Sequence, residues 1–154
     1  MLRDRALAED LAQEVFLQMY RELGSLESEP HLRFWLRRVT ANRCIDRLRQ
    51  GGRIELQPLD AAAELADAAA LPGAESGDDP LLRRHLDALI AELAPRARAV
   101  LLMRYQEDLE PLEIARVLAM PVNTVKSHLK RALSSLRVRL TGLRLVGNSA
   151  ERNS

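Results

Sequence analysis

Pro111-Leu112-Glu113-Ile114-Ala115-Arg116-Val117-Leu118 and Asn123-Thr124-Val125-Lys126-Ser127-His128-Leu129-Lys130-Arg131 stand on either side of a short connection begun by Ala119-Met120-Pro121. Pro111 suits the first position of a helix, where its missing N–H would have no intrahelical partner. The second stretch extends as a helix over about 123–140, because Val125, Leu129, Ala132 and Leu136 repeat at i, i+4, i+7 and i+11 and form one buried stripe. Two short helices about a tight turn make a helix-turn-helix, whose second helix enters the DNA major groove. The outward positions of that helix are Asn123, Thr124, Lys126, Ser127, Lys130, Arg131 and Ser134. Small polar residues at its start can approach base edges, while lysine and arginine neutralise phosphate and read guanine. From Ile114 to Ala150 there is no Asp or Glu, against seven basic residues. A helix presented to a polyanion needs that absence, since a carboxylate would repel phosphate. The bland alternative is an amphipathic helix with a solvated face, but such faces usually mix both signs.

Upstream, Leu82, Leu86, Leu89, Ile90 and Leu93 mark a helix over about 81–93, and Pro95 opens another over about 95–106. In the N-terminal half, Leu7, Leu11, Val15, Met19 and Leu23 recur every fourth residue and predict a helix over about 6–23, stopped by Gly24-Ser25. After a loop over Ser25–His31 that contains Pro30, a helix is expected over about 32–50. Its apolar side carries Phe34, Val39, Ala41, Ile45 and Leu48, its arginines lie largely elsewhere, and Gly51-Gly52 ends it. Residues 53–80 lack a sustained period, are rich in Ala, Asp and Glu, and carry Pro58, Pro72, Gly73, Gly77 and Pro80. They read as a flexible acidic linker. The fold class is therefore all-α: two small helical domains over 1–52 and 81–140, the second a helix-turn-helix, joined by 53–80 and followed by a frayed tail over 141–154.

Composition excludes several classes. The chain has 154 residues, 47% of them hydrophobic, which is enough for a packed core. Cys44 is the only cysteine, so no disulfide framework or multi-cysteine zinc site exists and a reducing compartment is expected. No apolar run of about 18 residues and no signal-peptide pattern occurs, so membrane insertion is not expected and the cytoplasm is. There is no metal constellation, Gly-rich phosphate loop or nucleophile–base pairing, so neither a cofactor nor an enzyme is expected. The net charge of +1 conceals four blocks: −4 over 1–30, +5 over 31–50, −6 over 51–80 and +6 over 81–154.

The stretches Leu112-Glu113-Ile114-Ala115 and Pro121-Val122-Asn123-Thr124-Val125-Lys126-Ser127-His128-Leu129 together resemble region 4 of sigma-70 family transcription initiation factors, in particular the extracytoplasmic-function (ECF) group. Leu93-Ala94-Pro95-Arg96 and Val100-Leu101-Leu102-Met103-Arg104-Tyr105 are similar to the helix leading into that region. In the N-terminal half, Ala8-Glu9-Asp10-Leu11-Ala12-Gln13-Glu14-Val15-Phe16-Leu17 resembles region 2.2 of the same group. Trp35-Leu36, Val39, Asn42, Asp46 and Arg49 match its regions 2.3–2.4, in the right order along the chain. Ala119 stands where the family usually has glycine, Glu110 where it has a small helix cap, Asn123 where glycine is common and Leu32 where an aromatic is frequent. Ala119 is uncomfortable if its position needs a positive φ.

The resemblance implies a subunit that directs RNA polymerase core to promoter DNA. Asp10, Gln13, Glu14 and Leu17 would dock on the core enzyme. Trp35, Arg38, Asn42, Arg43 and Arg49 would meet the opened −10 strand. Thr124, Lys126, Ser127, His128, Lys130 and Arg131 would meet the −35 duplex. The family also admits an anti-sigma factor as a partner. Some roles stay open: Phe34 and Trp35 are either stacking surface or core, His128 is either a DNA contact or an ordinary surface residue, and Asn42 either holds a base or caps a local turn. Asp46 is expected to pair with Arg43, Arg49 or Arg53, and the linker is either channel-threading or simply soluble. Two other readings remain: a stand-alone LuxR-type regulator, whose helix-turn-helix shares a Thr-Val-Lys-Ser/Thr-His-Leu stretch, and a non-initiating adaptor that binds polymerase or an anti-sigma factor. The family usually carries about 20–30 further residues, a helix with its connection, ahead of Asp4. The chain is therefore expected to be truncated, with Leu7, Leu11 and Val15 short of part of their packing surface.

Overall fold

Asp4 starts the first helix: its carboxylate accepts from the Leu7 N–H at 3.2 Å, and α1 runs over Arg5–Glu22. The computed structural model describes residues 1–51 and 80–151, with side chains as far as Gly142. The linker expected over 53–80 falls outside these residues apart from Pro80. A single 3-10 turn, Leu23–Ser25, follows α1, and α2 covers Glu29–Gly51. This helix begins earlier than the sequence reading placed it. Ser28 is the missed signal: its hydroxyl accepts from the His31 N–H at 3.3 Å and its carbonyl from the Leu32 N–H at 2.9 Å. Pro30 then lies inside the first turn, where a missing N–H breaks no helical bond.

The C-terminal half contains α3 (Pro80–Ala91), α4 (Pro95–Tyr105), α5 (Pro111–Leu118) and α6 (Val122–Glu151). All the described elements are helical. α6 continues past Leu140, its expected end. Thr141 turns its hydroxyl back to the Arg137 carbonyl at 2.8 Å, within the helix, and does not break it.

The turn between α5 and α6 closes as a Schellman motif. Ala119 adopts φ 50°, ψ 51°, while the Met120 N–H reaches the Ala115 carbonyl at 3.0 Å. The position does need a positive φ, and alanine bears the steric cost. At the other end of α5, the Glu113 carboxylate accepts from the Glu110 N–H at 2.8 Å, as in a capping box, which accommodates the unusual Glu110.

Ile114, Val100 and Val125 are fully buried and centre the helix-turn-helix core, with Ala99, Met103, Leu109, Val117 and Met120 around them. Ala41 and Ile45 of α2 belong to the same cluster, and Phe34 packs against it. The two helical halves therefore share one core. Arg37 of α2 adds an ion pair to Glu107, between α4 and α5, at 3.2 Å. A second cluster joins Leu101 of α4 to Ala132, Leu133 and Leu136 of α6, under Leu86, Leu89, Ile90 and Leu93.

The third cluster corrects an expectation. Leu11 and Val15 are only 3% and 4% exposed, so they do not lack cover. Cys44, Trp35, Leu36 and Val39 of α2, together with Met1 and Leu2, pack over them. Burial pushes the Cys44 thiol above its ordinary pKa, which disfavours the reactive thiolate. The apolar surface that α1 and the turn after it leave open is Phe16, Leu17 and Tyr20, with Leu23.

Candidate nucleic-acid and docking surfaces

Pro121 anchors the start of α6. Its carbonyl accepts from the Thr124 and Val125 N–H groups at 3.0 and 3.2 Å. With Val125 fully buried beneath, helical geometry turns Asn123, Lys126, Ser127, Lys130 and Arg131 outward on one face, and all five are exposed. Thr124 is half-buried at its edge. The Ser127 hydroxyl donates to the Asn123 carbonyl at 2.9 Å, so its oxygen lone pairs are what it offers a ligand. Residues 122–142 of α6 contain no carboxylate. The face therefore combines cationic side chains with small polar groups and no local acid of its own.

His128 differs from its neighbours. It is half-buried, and its pKa is pushed below the ordinary histidine value by burial, then by the Arg131 and Arg96 guanidiniums. At neutral pH it presents a neutral imidazole, one donor and one acceptor, and no phosphate-neutralising charge.

On α2, Arg38, Asn42 and Arg49 are exposed and share one face. The structure does not bring the other two residues of the expected −10 set to that face. Arg43 donates to Glu14 Oε2 at 2.9 Å and to Gln18 Oε1 at 2.6 Å, across the α1–α2 interface. Trp35 packs in the cluster with Leu11 and Val15 and donates its Nε1–H to Glu22 Oε2 at 2.8 Å. Phe34 faces the helix-turn-helix core. Asp46 is exposed and, among the described residues, makes no ion pair; Arg43 pairs with Glu14 instead. Arg53 lies outside the described residues.

On α1, Asp10, Gln13 and Leu17 are exposed along one stripe. Glu14 turns away from it, and its second oxygen accepts from Arg47 at 2.9 Å. Phe16 and Tyr20, 60% and 79% exposed, extend the stripe instead. Sequence reading missed them because they flank the buried stripe, and only the position of α2 decides which flank is covered. The resulting surface mixes acid, amide and aromatic groups, a chemistry suited to a basic amphipathic helix.

Among the described residues there is no group of three His, Cys, Asp or Glu placed to hold a metal ion. No helix among them is long and apolar enough to cross a membrane.

Comparison with known proteins fits this arrangement. Residues 1–54 match the family described as Sigma-70 region 2, and residues 83–136 match Sigma-70, region 4. The chain is similar to the RNA polymerase sigma factor CarQ of Myxococcus xanthus, with 34% identity over 94% of this chain and 81% of the relative. It is 32% identical to the RNA polymerase sigma-H factor of Pseudomonas aeruginosa, over 88% of this chain and 74% of that protein. The ECF RNA polymerase sigma factor SigW of Bacillus subtilis is 29% identical over 88% of this chain and 76% of its own length. In fold, the chain resembles the sigma factor RpoE of Bartonella quintana, solved with the anti-sigma factor NepR. That match has a TM-score of 0.65 and 21% identity, and covers 91% of this chain and 84% of that one. A LuxR-type regulator would leave the region 2 match over 1–54 without a counterpart. The ordered pair of region 2 and region 4, carried on an all-helical fold, identifies the chain as a sigma factor of the sigma-70 family, in its extracytoplasmic-function group.

Proposed function

We propose that this sigma factor binds RNA polymerase core through α1, meets the opened −10 strand along α2 and reads −35 duplex with α6. The observation that carries the reading is the acid-free face of Asn123, Lys126, Ser127, Lys130 and Arg131, exposed on the second helix of a helix-turn-helix. Lys126 and Lys130 serve as phosphate contacts, while Ser127 and Arg131 face base edges, with Thr124 and the neutral His128 at the margin. On α2 the direct contacts are Arg38, Asn42 and Arg49, where guanidinium groups follow a single-strand backbone and an amide holds a base. Arg43 and Trp35 act there by positioning α2 on α1. On α1 the docking face is Asp10, Gln13 and Leu17, extended by Phe16 and Tyr20, and Glu14 supports it from behind.

In this reading 1–52 and 81–140 are the two functional domains, 53–80 joins them, and 141–154 serves as a tail. The protein works in the cytoplasm without catalysing a reaction itself, and an anti-sigma protein is a further partner. Run-off transcription with purified core polymerase tests the proposal. Initiation at specific start sites that depends on both core and this chain is expected. Duplex binding without core-dependent initiation would overturn it.

A further inference from the structure

A second basic site lies away from the recognition helix. A cavity of about 560 Å3 opens between the N-terminal segment and the α3–α4 pair. Its lining includes three guanidiniums, from Arg3, Arg84 and Arg98, against one carboxylate, from Asp87. Arg98 is only 5% exposed. Its guanidinium donates to the Met1 carbonyl at 3.1 Å and the Leu93 carbonyl at 3.3 Å, and also to the Ala91 carbonyl. These are dipoles and not counter-charges. Among the described residues its Nε–H has no partner, and Arg98 forms no ion pair. Neither do Arg3 and Arg84. Burial, and then Arg3, push the Arg98 pKa below the ordinary arginine value.

A buried charge is ordinarily paired, and leaving one uncompensated is costly. Three arginines around one cavity, set against a single carboxylate, make a site for a compact oxyanion, because the guanidinium fork matches phosphate geometry. Gln106 adds an amide, and Leu102 with Ile90 forms an apolar wall. The volume falls within the range of small-molecule pockets, and that wall allows a body beyond the anionic group.

We propose that this cavity binds a small phosphate-class anion, held by Arg98, Arg84 and Arg3. Arg3 comes from the N-terminal segment while Arg84 and Arg98 come from α3 and α4, so the bound anion ties the two halves together.

The test is calorimetric titration of the full chain with inorganic pyrophosphate at constant ionic strength, alongside thermal melting. One saturable site and a raised melting temperature are expected. Arg84→Gln changes an exposed side chain, so the melting temperature without ligand should stay near wild type, and it should weaken binding roughly tenfold, as should Arg3→Gln. Lys126→Ala combined with Lys130→Ala should leave it unchanged. Non-saturating binding, or binding insensitive to Arg84→Gln and Arg3→Gln, overturns the proposal, as does loss in the α6 variant. Guanosine diphosphate distinguishes the source: tighter binding than pyrophosphate assigns the site to a nucleotide, and equal binding assigns it to the free anion.

Discussion

Glu14 of α1 and Arg43 of α2 form one ion pair, Oε2 to Nη1 at 2.9 Å, although sequence motifs assign them to two different surfaces. Gln18 and Arg47 complete the network on either side. The pair fixes how α2 sits on α1, and so orients both the stripe on α1 and the face of Arg38, Asn42 and Arg49.

Removing either partner should loosen that seam. The two side chains are 38% and 39% exposed, so solvent screening keeps the effect small. Glu14→Gln or Arg43→Ala should cost about 0.5–1 kcal/mol in urea denaturation, and the double variant less than the sum. Additive costs would show that the two residues act independently. An intact stability with weakened core binding would instead make Glu14 a direct polymerase contact.

Ile45 tests the shared core. It is 5% exposed and packs with the buried residues of α4 and α5. Ile45→Ala should destabilise the protein by about 2–5 kcal/mol. Hydrogen exchange should show faster opening in α5 as well as in α2. Unchanged protection of α5 would mean that the halves fold separately.

Ala119 holds φ 50° in the turn of the helix-turn-helix. Glycine carries no Cβ penalty there, so Ala119→Gly should stabilise the fold by about 1 kcal/mol and raise the urea midpoint. A lowered midpoint would mean that the entropy glycine gains in the unfolded chain outweighs the strain relieved.

His128 gives stability a pH dependence of defined sign. Its folded pKa is depressed, so the unfolded chain binds the proton more readily. Its contribution is whole above the unfolded value of about 6.5 and is lost as pH falls through the folded pKa. Wild type should therefore lose stability faster than His128→Gln between neutral and mildly acidic pH, measured by thermal melting. Parallel curves would count against a neutral, half-buried imidazole.

Lys126 is exposed on α6 beside Ser127 and Lys130. Lys126→Ala should weaken binding to −35 duplex about equally across sequences and reduce the salt slope by about one. An unchanged slope would remove Lys126 from the phosphate contacts.

The helices were legible because their starts and faces are local. Pro95 and Pro111 mark helix starts, and the stripe Val125, Leu129, Ala132 and Leu136 marks one face. Ser28 is equally local: its hydroxyl accepts from the His31 N–H, which starts α2 at Glu29 and not at Leu32. Asn123, Lys126, Ser127, Lys130 and Arg131 were legible for the same reason: outward positions on a helix follow from its buried ones.

What the sequence by itself determined is the all-helical class and the helix-turn-helix with its acid-free face; that Ala119 sits at a positive φ is a finding of the structure. Periodicity sets the class and the helix-turn-helix within one turn or one helix. Only the tertiary structure decided that Ile45 and Phe34 pack on α4 and α5, that Glu14, Arg43 and Trp35 hold α1 to α2, and that Arg98 reaches Met1. A helical repeat says which face is apolar but not which helix will cover it. A charged side chain's role depends on its partner, and 29 residues separate Glu14 from Arg43 and 97 separate Met1 from Arg98, distances that local pattern does not span.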